Sequence, residues 1–141
     1  MHGCRMVKFY SSTQSVISIS SGESEFYAAV KGTATGLGQK SIAQDLGGGE
    51  MELRIEIDSS AAKTMSLRRG LGKARHIETQ YLWIQYIFHS KRAAMVKIDG
   101  ADNCSDLGTK HVEATLIRRF LEEMNFVVIR GKSGVALKDR A

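Results

Sequence analysis

The 141-residue sequence contains no proline, two cysteines and no long apolar run. Without proline, glycine is the residue that marks loops and the ends of elements. Cys4 and Cys104 lie far apart, a spacing that indicates neither a disulfide framework nor a zinc site. No apolar stretch approaches the roughly 20 residues of a membrane-spanning helix, and the N-terminus lacks the zones of a secretory signal. We therefore expect an intracellular protein, cytoplasmic or nuclear, without a membrane partner.

The length suits one domain with its own core, which we place at residues 1–130, and the tail from 131 to 141 shows no clear pattern. The formal net charge is +5 and the isoelectric point is about 9.4. Such a charge favours a polyanionic partner, although many ordinary proteins carry a similar excess. The charge therefore favours nucleic acid as a partner but does not establish it.

Alternation of apolar and polar residues predicts the strands. From Arg5 to Ser20 the pattern predicts two strands, paired as a hairpin around the polar break Ser11-Ser12-Thr13. "MELRIEID", residues 51–58, predicts a strand with Asp58 at its tip, and "AAMVKI", residues 93–98, predicts another.

Helical spacing of apolar residues predicts the helices. A long helix from about Ser21 to Leu46 ends at three consecutive glycines, and shorter helices follow at Ser60–Leu67, His76–Phe88 and Val112–Met124. Strands and helices in this order predict an α/β fold in which helices cover a mixed sheet.

Three acidic residues lie at the boundaries of these elements, where functional sites are commonly built. Glu25 lies in the first turns of the long helix, Asp58 at a strand tip and Asp106 just after a polar loop. Carboxylates brought together from separate elements can bind Mg²⁺ for phosphate chemistry. For any one acid, however, a favourable interaction with the helix dipole is the commoner explanation.

Three blocks of sequence carry a resemblance: "QSVISISSGESEFYAAVKG", "IDSSAAKTMSLRRGLGKARHIETQYLWIQ" and "DNCSDLGTKH". In this order, each with an acid that matches a family ligand, they strongly resemble the ribonuclease H domain of copia-type LTR retrotransposon Pol polyproteins, and they cover most of residues 14 to 111. The resemblance implies a ribonuclease H-like fold, with a mixed five-stranded sheet flanked by helices. It also implies cleavage of the RNA strand of RNA–DNA hybrids by two Mg²⁺ ions, for which Mn²⁺ can substitute, beside a reverse transcriptase in the same polyprotein.

The resemblance assigns roles to particular residues. The family's metal-binding Glu, followed by an apolar and alanine-rich stretch, matches Glu25, and its next acid, followed by a hydroxyl residue, matches Asp58-Ser59. Its last acid matches Asp106 in "SDLGTK". These three residues are the expected catalytic metal ligands.

One departure from the family limits the expected activity. The family's first catalytic Asp lies on an opening strand, whereas no acid precedes Glu23 in this chain. We therefore expect an N-terminally truncated domain that lacks the opening strand, has three of the four acids and is weak or inactive. The alternatives are a non-catalytic nucleic-acid-binding remnant and a decayed reading frame.

A basic, glycine-broken stretch lies before the third helix. Its four cations, Arg68, Arg69, Lys73 and Arg75, suit sequence-independent contacts to duplex phosphates, and a plain solvated loop is an equally good interpretation.

Supporting roles are open in the same way. His76 is expected to cap or pack the start of its helix. Tyr81 and Trp83, in the same helix, are expected to be core residues. Ser59 either orients Asp58 or caps the next helix, and Lys110 either approaches the scissile phosphate or is simply solvated.

The two glutamates of "SSGESEFYAAV" have different expected roles. Ser20 and Glu23 have the spacing of a capping box, in which the Glu23 side chain returns to the serine amide. Glu25 shares a helical stripe with Ala29, Gly32 and Gly36, and we expect it to face the sheet near Asp58.

Overall fold

The computed structural model describes residues 6–73 and 75–126. The chain divides into two compact units, one of residues 12–103 and one that combines the chain up to Ser11 with the chain from Cys104 onward. The single domain over residues 1–130 stays a prediction. Cys4 and the tail from 131 to 141 lie outside the described residues.

The larger unit begins with the long helix α1, Ser21–Asp45, as predicted. Ser20 caps its N-terminus by accepting a hydrogen bond from the Glu23 amide at 3.2 Å. At its C-terminus, Gly47 has φ +82°, and the amide of Gly48 donates to the carbonyl of Ala43 at 2.8 Å. This is a Schellman motif, which explains why the helix ends at the predicted glycines.

The sheet consists of two parallel strands among the described residues, β1 at Arg54–Ile57 and β2 at Ala94–Lys97. Their register pairs Arg54 with Ala94 and Ile57 with Lys97. A parallel pair needs a long crossover, which here contains α2, Ser60–Leu67, a 3₁₀ turn, Thr79–Leu82, and α3, Trp83–His89. Both strands were predicted, and each predicted span is slightly longer than the observed strand.

The core of the larger unit lies between α1, the crossover helices and the sheet. A Cβ on Gly36 would lie 2.7 Å from Leu53 Cδ1, so α1 approaches the chain just before β1 closely. Tyr81 and Trp83 pack half-buried against this core, as expected. The buried apolar residues are Phe26, Tyr27, Ala29, Val30, Ile57, Ala62, Ile77, Ile84, Ile87, Phe88, Ala93 and Met95.

The smaller unit contains a 3₁₀ turn, Cys104–Gly108, and α4, Ala114–Glu123, within the predicted span 112–124. Phe120 and Met124 are its buried apolar side chains among the described residues. A Cβ on Gly108 would lie 2.7 Å from Phe9 Cζ, so the Phe9 ring covers this glycine.

Two predictions about secondary structure are wrong. Residues 6–20 contain no strand in the described structure, because Ile17 and Ile19 are 91% and 74% exposed and have no paired strand to pack beside. The helix predicted from His76 starts as the 3₁₀ turn at Thr79 and becomes α-helical at Trp83.

The observed architecture is therefore α/β, with a small parallel sheet and helices. None of the helices in the described part of the chain is both long and apolar enough to cross a bilayer.

Candidate functional site

Asp58 lies directly after β1, at the carboxyl end of the parallel pair, and is half-buried. The backbone continues the pairing there, because the Ile98 amide donates to the Ile57 carbonyl at 3.0 Å. Asn103 Nδ2 donates to Asp58 Oδ2 at 3.2 Å. Asp58 is therefore oriented by an amide side chain 45 residues away, and sequence reasoning did not find that partner.

Ser59 caps α2. Its Oγ accepts a hydrogen bond from the Ala62 amide at 3.2 Å, which is the N-cap geometry of a serine. Of the two predicted roles, the structure shows the cap.

The first turns of α1 and α2 pack against each other. A Cβ on Gly22 would lie 2.9 Å from Ala61 Cβ, so the two helix starts lie side by side. Glu25 and Asp58 are each three residues from this contact. They belong to the same end of the α1–α2 pair.

Glu25 is exposed, and the expectation that its side chain faces the sheet near Asp58 stays a prediction. Farther along the same stripe, Ala29 is buried and Gly36 packs against Leu53. At the helix start, α2 rather than the sheet is the neighbour, and Glu23 takes the buried position. Whether Glu25 is a metal ligand stays a prediction.

Glu23 is 4% exposed and joins two separate parts of the chain. Its Oε1 lies 2.5 Å from His76 Nε2, and its Oε2 accepts from the Ile19 amide at 3.0 Å. The predicted capping box is therefore half correct: Ser20 accepts from the Glu23 amide, but the carboxylate returns to Ile19 instead of Ser20. His76 is exposed and lies before the 3₁₀ turn that begins at Thr79, so the structure shows it bound to Glu23 and not capping or packing a helix start, which was its expected role.

Tyr27 lies beside this carboxylate. Its ring packs edge-on against Tyr81 with the ring centroids 4.8 Å apart. Burial raises the pKa of the Tyr27 phenol, and the nearby Glu23 carboxylate raises that pKa further. The residue is therefore protonated and packs as an aromatic core residue near neutral pH.

The four basic residues of the predicted phosphate patch are not equivalent. Arg68 is half-buried, and its guanidinium donates to the Leu71 carbonyl and lies over Gly72, where a Cβ would be 2.6 Å from Nη1. Arg69, Lys73 and Arg75 are exposed. Arg68 therefore closes its own loop, and the other three cations face solvent.

Gln85 is a buried polar residue that sequence reasoning missed. Its Oε1 accepts from the Gly70 amide at 2.9 Å, and its Nε2 donates to the carbonyls of Met65 and Gly70 at 2.9 and 3.1 Å. One side chain thus ties α3 to the end of α2 and to the basic loop. A glutamine among the buried residues Ile84, Ile87 and Phe88 was the available signal.

Asp106 belongs to the smaller unit and is half-buried. Lys110 Nζ lies 3.0 Å from Asp106 Oδ1 and 3.1 Å from Oδ2. Lys110 therefore pairs with the predicted ligand while its side chain remains largely exposed.

Oxygen ligands of the kind that Mg²⁺ prefers are present. Asn103 donates to Asp58 Oδ2, and no donor among the described residues reaches Oδ1, which leaves an oxygen for a cation. Within residues 6–73 and 75–126, no three His, Cys, Asp or Glu side chains are grouped so that they could hold a metal ion. The three-carboxylate site stays a prediction.

No protein-family model, curated protein or solved structure matches this chain.

Proposed function

We propose that this chain is a ribonuclease H-type domain of a copia-like retrotransposon Pol polyprotein, with a ribonuclease H-like fold. Its proposed reaction is metal-dependent cleavage of the RNA strand of RNA–DNA hybrids. The observation that carries the proposal is Asp58, half-buried at the carboxyl end of β1, with one oxygen held by Asn103 and beside the packed starts of α1 and α2. Each of the three quoted sequence blocks contains one of the proposed ligands Glu25, Asp58 and Asp106, which supports the proposal.

Glu25, Asp58 and Asp106 are the residues that would hold Mg²⁺. When bound, two such ions orient the attacking water and stabilise the leaving oxygen of a phosphodiester. Asn103 orients the Asp58 carboxylate through Oδ2, and this carboxylate would supply an oxygen ligand. Lys110 pairs with Asp106, and its ammonium would meet a phosphate that approaches this acid.

We expect the rate of this chain to be low, because three of its acids match the four ligands of the resembled family. The second candidate is a protein that binds nucleic acid without cutting it. The exposed cations Arg69, Lys73 and Arg75 favour this candidate, since phosphate contacts need no metal.

Single-turnover cleavage of a hybrid with labelled RNA tests the proposal. With excess protein and Mg²⁺ or Mn²⁺, we expect slow appearance of RNA products that is lost in Asp58→Asn and Glu25→Gln. Glu50→Gln, at an exposed loop acid, is the matched control and should cut like the wild type.

The outcomes separate the candidates. Hybrid binding without any metal-dependent product supports the non-catalytic protein and overturns the nuclease. Fast cleavage that depends on Asp58 supports the nuclease and overturns the expectation of low activity. If the chain shows no hybrid binding and no cleavage, both candidates are overturned.

A further inference from the structure

The basic loop, defined here as residues 68–73 and 75–76, is attached to the larger unit at both of its ends. Near its start, Gly70 exchanges hydrogen bonds with the buried Gln85 through both its amide and its carbonyl. At its end, His76 meets the buried Glu23 carboxylate at 2.5 Å, and the next residue, Ile77, is 3% exposed. The loop has no regular structure, and yet side chains from α1 and α3 anchor it.

These anchors determine which cations are available to a ligand. Arg68 donates to Leu71 and is occupied within the loop. Arg69, Lys73 and Arg75 are exposed on a backbone whose attachment points are buried. A backbone held in this way loses little conformational entropy when its cations meet a phosphate chain, which strengthens binding without adding contacts.

We propose that Gln85, Glu23 and His76 are positioning residues, which hold the exposed cations Arg69, Lys73 and Arg75 of the basic loop ready for the phosphates of a duplex. This inference rests on the proposed function for the identity of the duplex, an RNA–DNA hybrid.

The first test measures the salt dependence of hybrid binding by fluorescence anisotropy, using the whole chain and an uncleaved hybrid in EDTA. Each of Arg69→Ala, Lys73→Ala and Arg75→Ala should reduce the slope of log K against log salt by about 1, the value for one lost phosphate contact. Arg92→Ala, at an exposed cation before the amino end of β2, is the matched control and should leave the slope unchanged. If Arg92→Ala lowers the slope equally, or the three loop variants do not lower it, the assignment of these cations is wrong.

The second test concerns positioning. In His76→Ala, we expect faster amide hydrogen exchange in the basic loop and an affinity for the hybrid that is lower by about tenfold, with an unchanged salt slope because every cation is still present. His76→Gln can still donate to Glu23 and should recover the affinity. Because the His76 side chain is 44% exposed, its replacement should leave the unit folded, which circular dichroism checks.

The outcomes distinguish this inference from the proposed function. Faster exchange with unchanged affinity overturns the positioning role. If the variants change hybrid binding as predicted but no metal condition gives cleavage, the inference is upheld and the nuclease is overturned. A wild-type chain that binds no hybrid overturns the inference, and cleavage seen in the same preparation would still support the nuclease.

Discussion

Two irregular stretches of the larger unit differ in how they are held. The basic loop is tied down by Gln85 at Gly70 and by Glu23 at His76. The stretch 12–20, which leads into α1, leaves Ile17 and Ile19 exposed to solvent. Of its apolar side chains, Val16 is the one that packs against the core.

The difference shows which interactions hold a backbone without regular secondary structure in place. The stretch 12–20 has the apolar alternation of a strand but no neighbouring strand in the described structure, so its alternation stabilises nothing. The basic loop has glycines and charges, and buried polar side chains supply partners for its backbone groups. Glu23 serves both stretches, since one carboxylate oxygen meets His76 and the other meets the Ile19 amide.

The largest effect is expected from Gln85→Met. This change keeps the side-chain volume but leaves the Gly70 amide and two carbonyls without their partner, and we expect the free energy of unfolding to fall by about 3 kcal/mol. Urea denaturation measures it, with Gln44→Met, on an exposed part of α1, as the control that should change stability little. Equal losses in both variants would show that Gln85 does not hold the loop.

A smaller effect is expected from Glu23→Ala. It removes the hydrogen bonds to His76 and Ile19, one of them to a half-exposed partner, and should lower the free energy of unfolding by about 2 kcal/mol. Glu25→Ala, at the exposed acid of the same helix, should cost less than about 0.5 kcal/mol. If Glu25→Ala destabilises more than Glu23→Ala, the assignment of the buried position to Glu23 is incorrect.

The smallest effect is expected from Ile17→Ser. Because Ile17 is 91% exposed, the free energy of unfolding should stay within about 0.5 kcal/mol of the wild type. Val16→Ser, at the neighbour that contacts the core, should cost about 1 kcal/mol. A loss at Ile17 as large as that at Val16 would indicate that the predicted strand forms after all.

Local sequence patterns predicted much of the fold. Helices α1, α2 and α4 and both strands lie where periodicity placed them, and the caps by Ser20 and Ser59 follow from the preference of serine for helix starts. The position of Asp58 at a strand tip was also predicted. For the helices and their caps, the determining interactions lie within a few residues of each other in the sequence.

The missed features depend on distant partners. Asn103 meets Asp58 across 45 residues, and His76 meets Glu23 across 53. Spacing carries no information about such pairs, and the exposure of Glu25 likewise depends on how α1 packs against α2. Arg68 could not be separated from Arg69 for a different reason: its partner Leu71 is only three residues away, but the hydrogen bond depends on how the loop turns.

Binding of Mn²⁺, followed by paramagnetic broadening of backbone amide signals, tests most directly whether Glu25, Asp58 and Asp106 form one metal site. In the ¹⁵N-labelled chain, we predict that amides next to all three acids broaden together at the lowest Mn²⁺ concentrations, and that Asp58→Asn removes the broadening at all three. Broadening confined to one acid, or unchanged in Asp58→Asn, would contradict the ribonuclease H-type site.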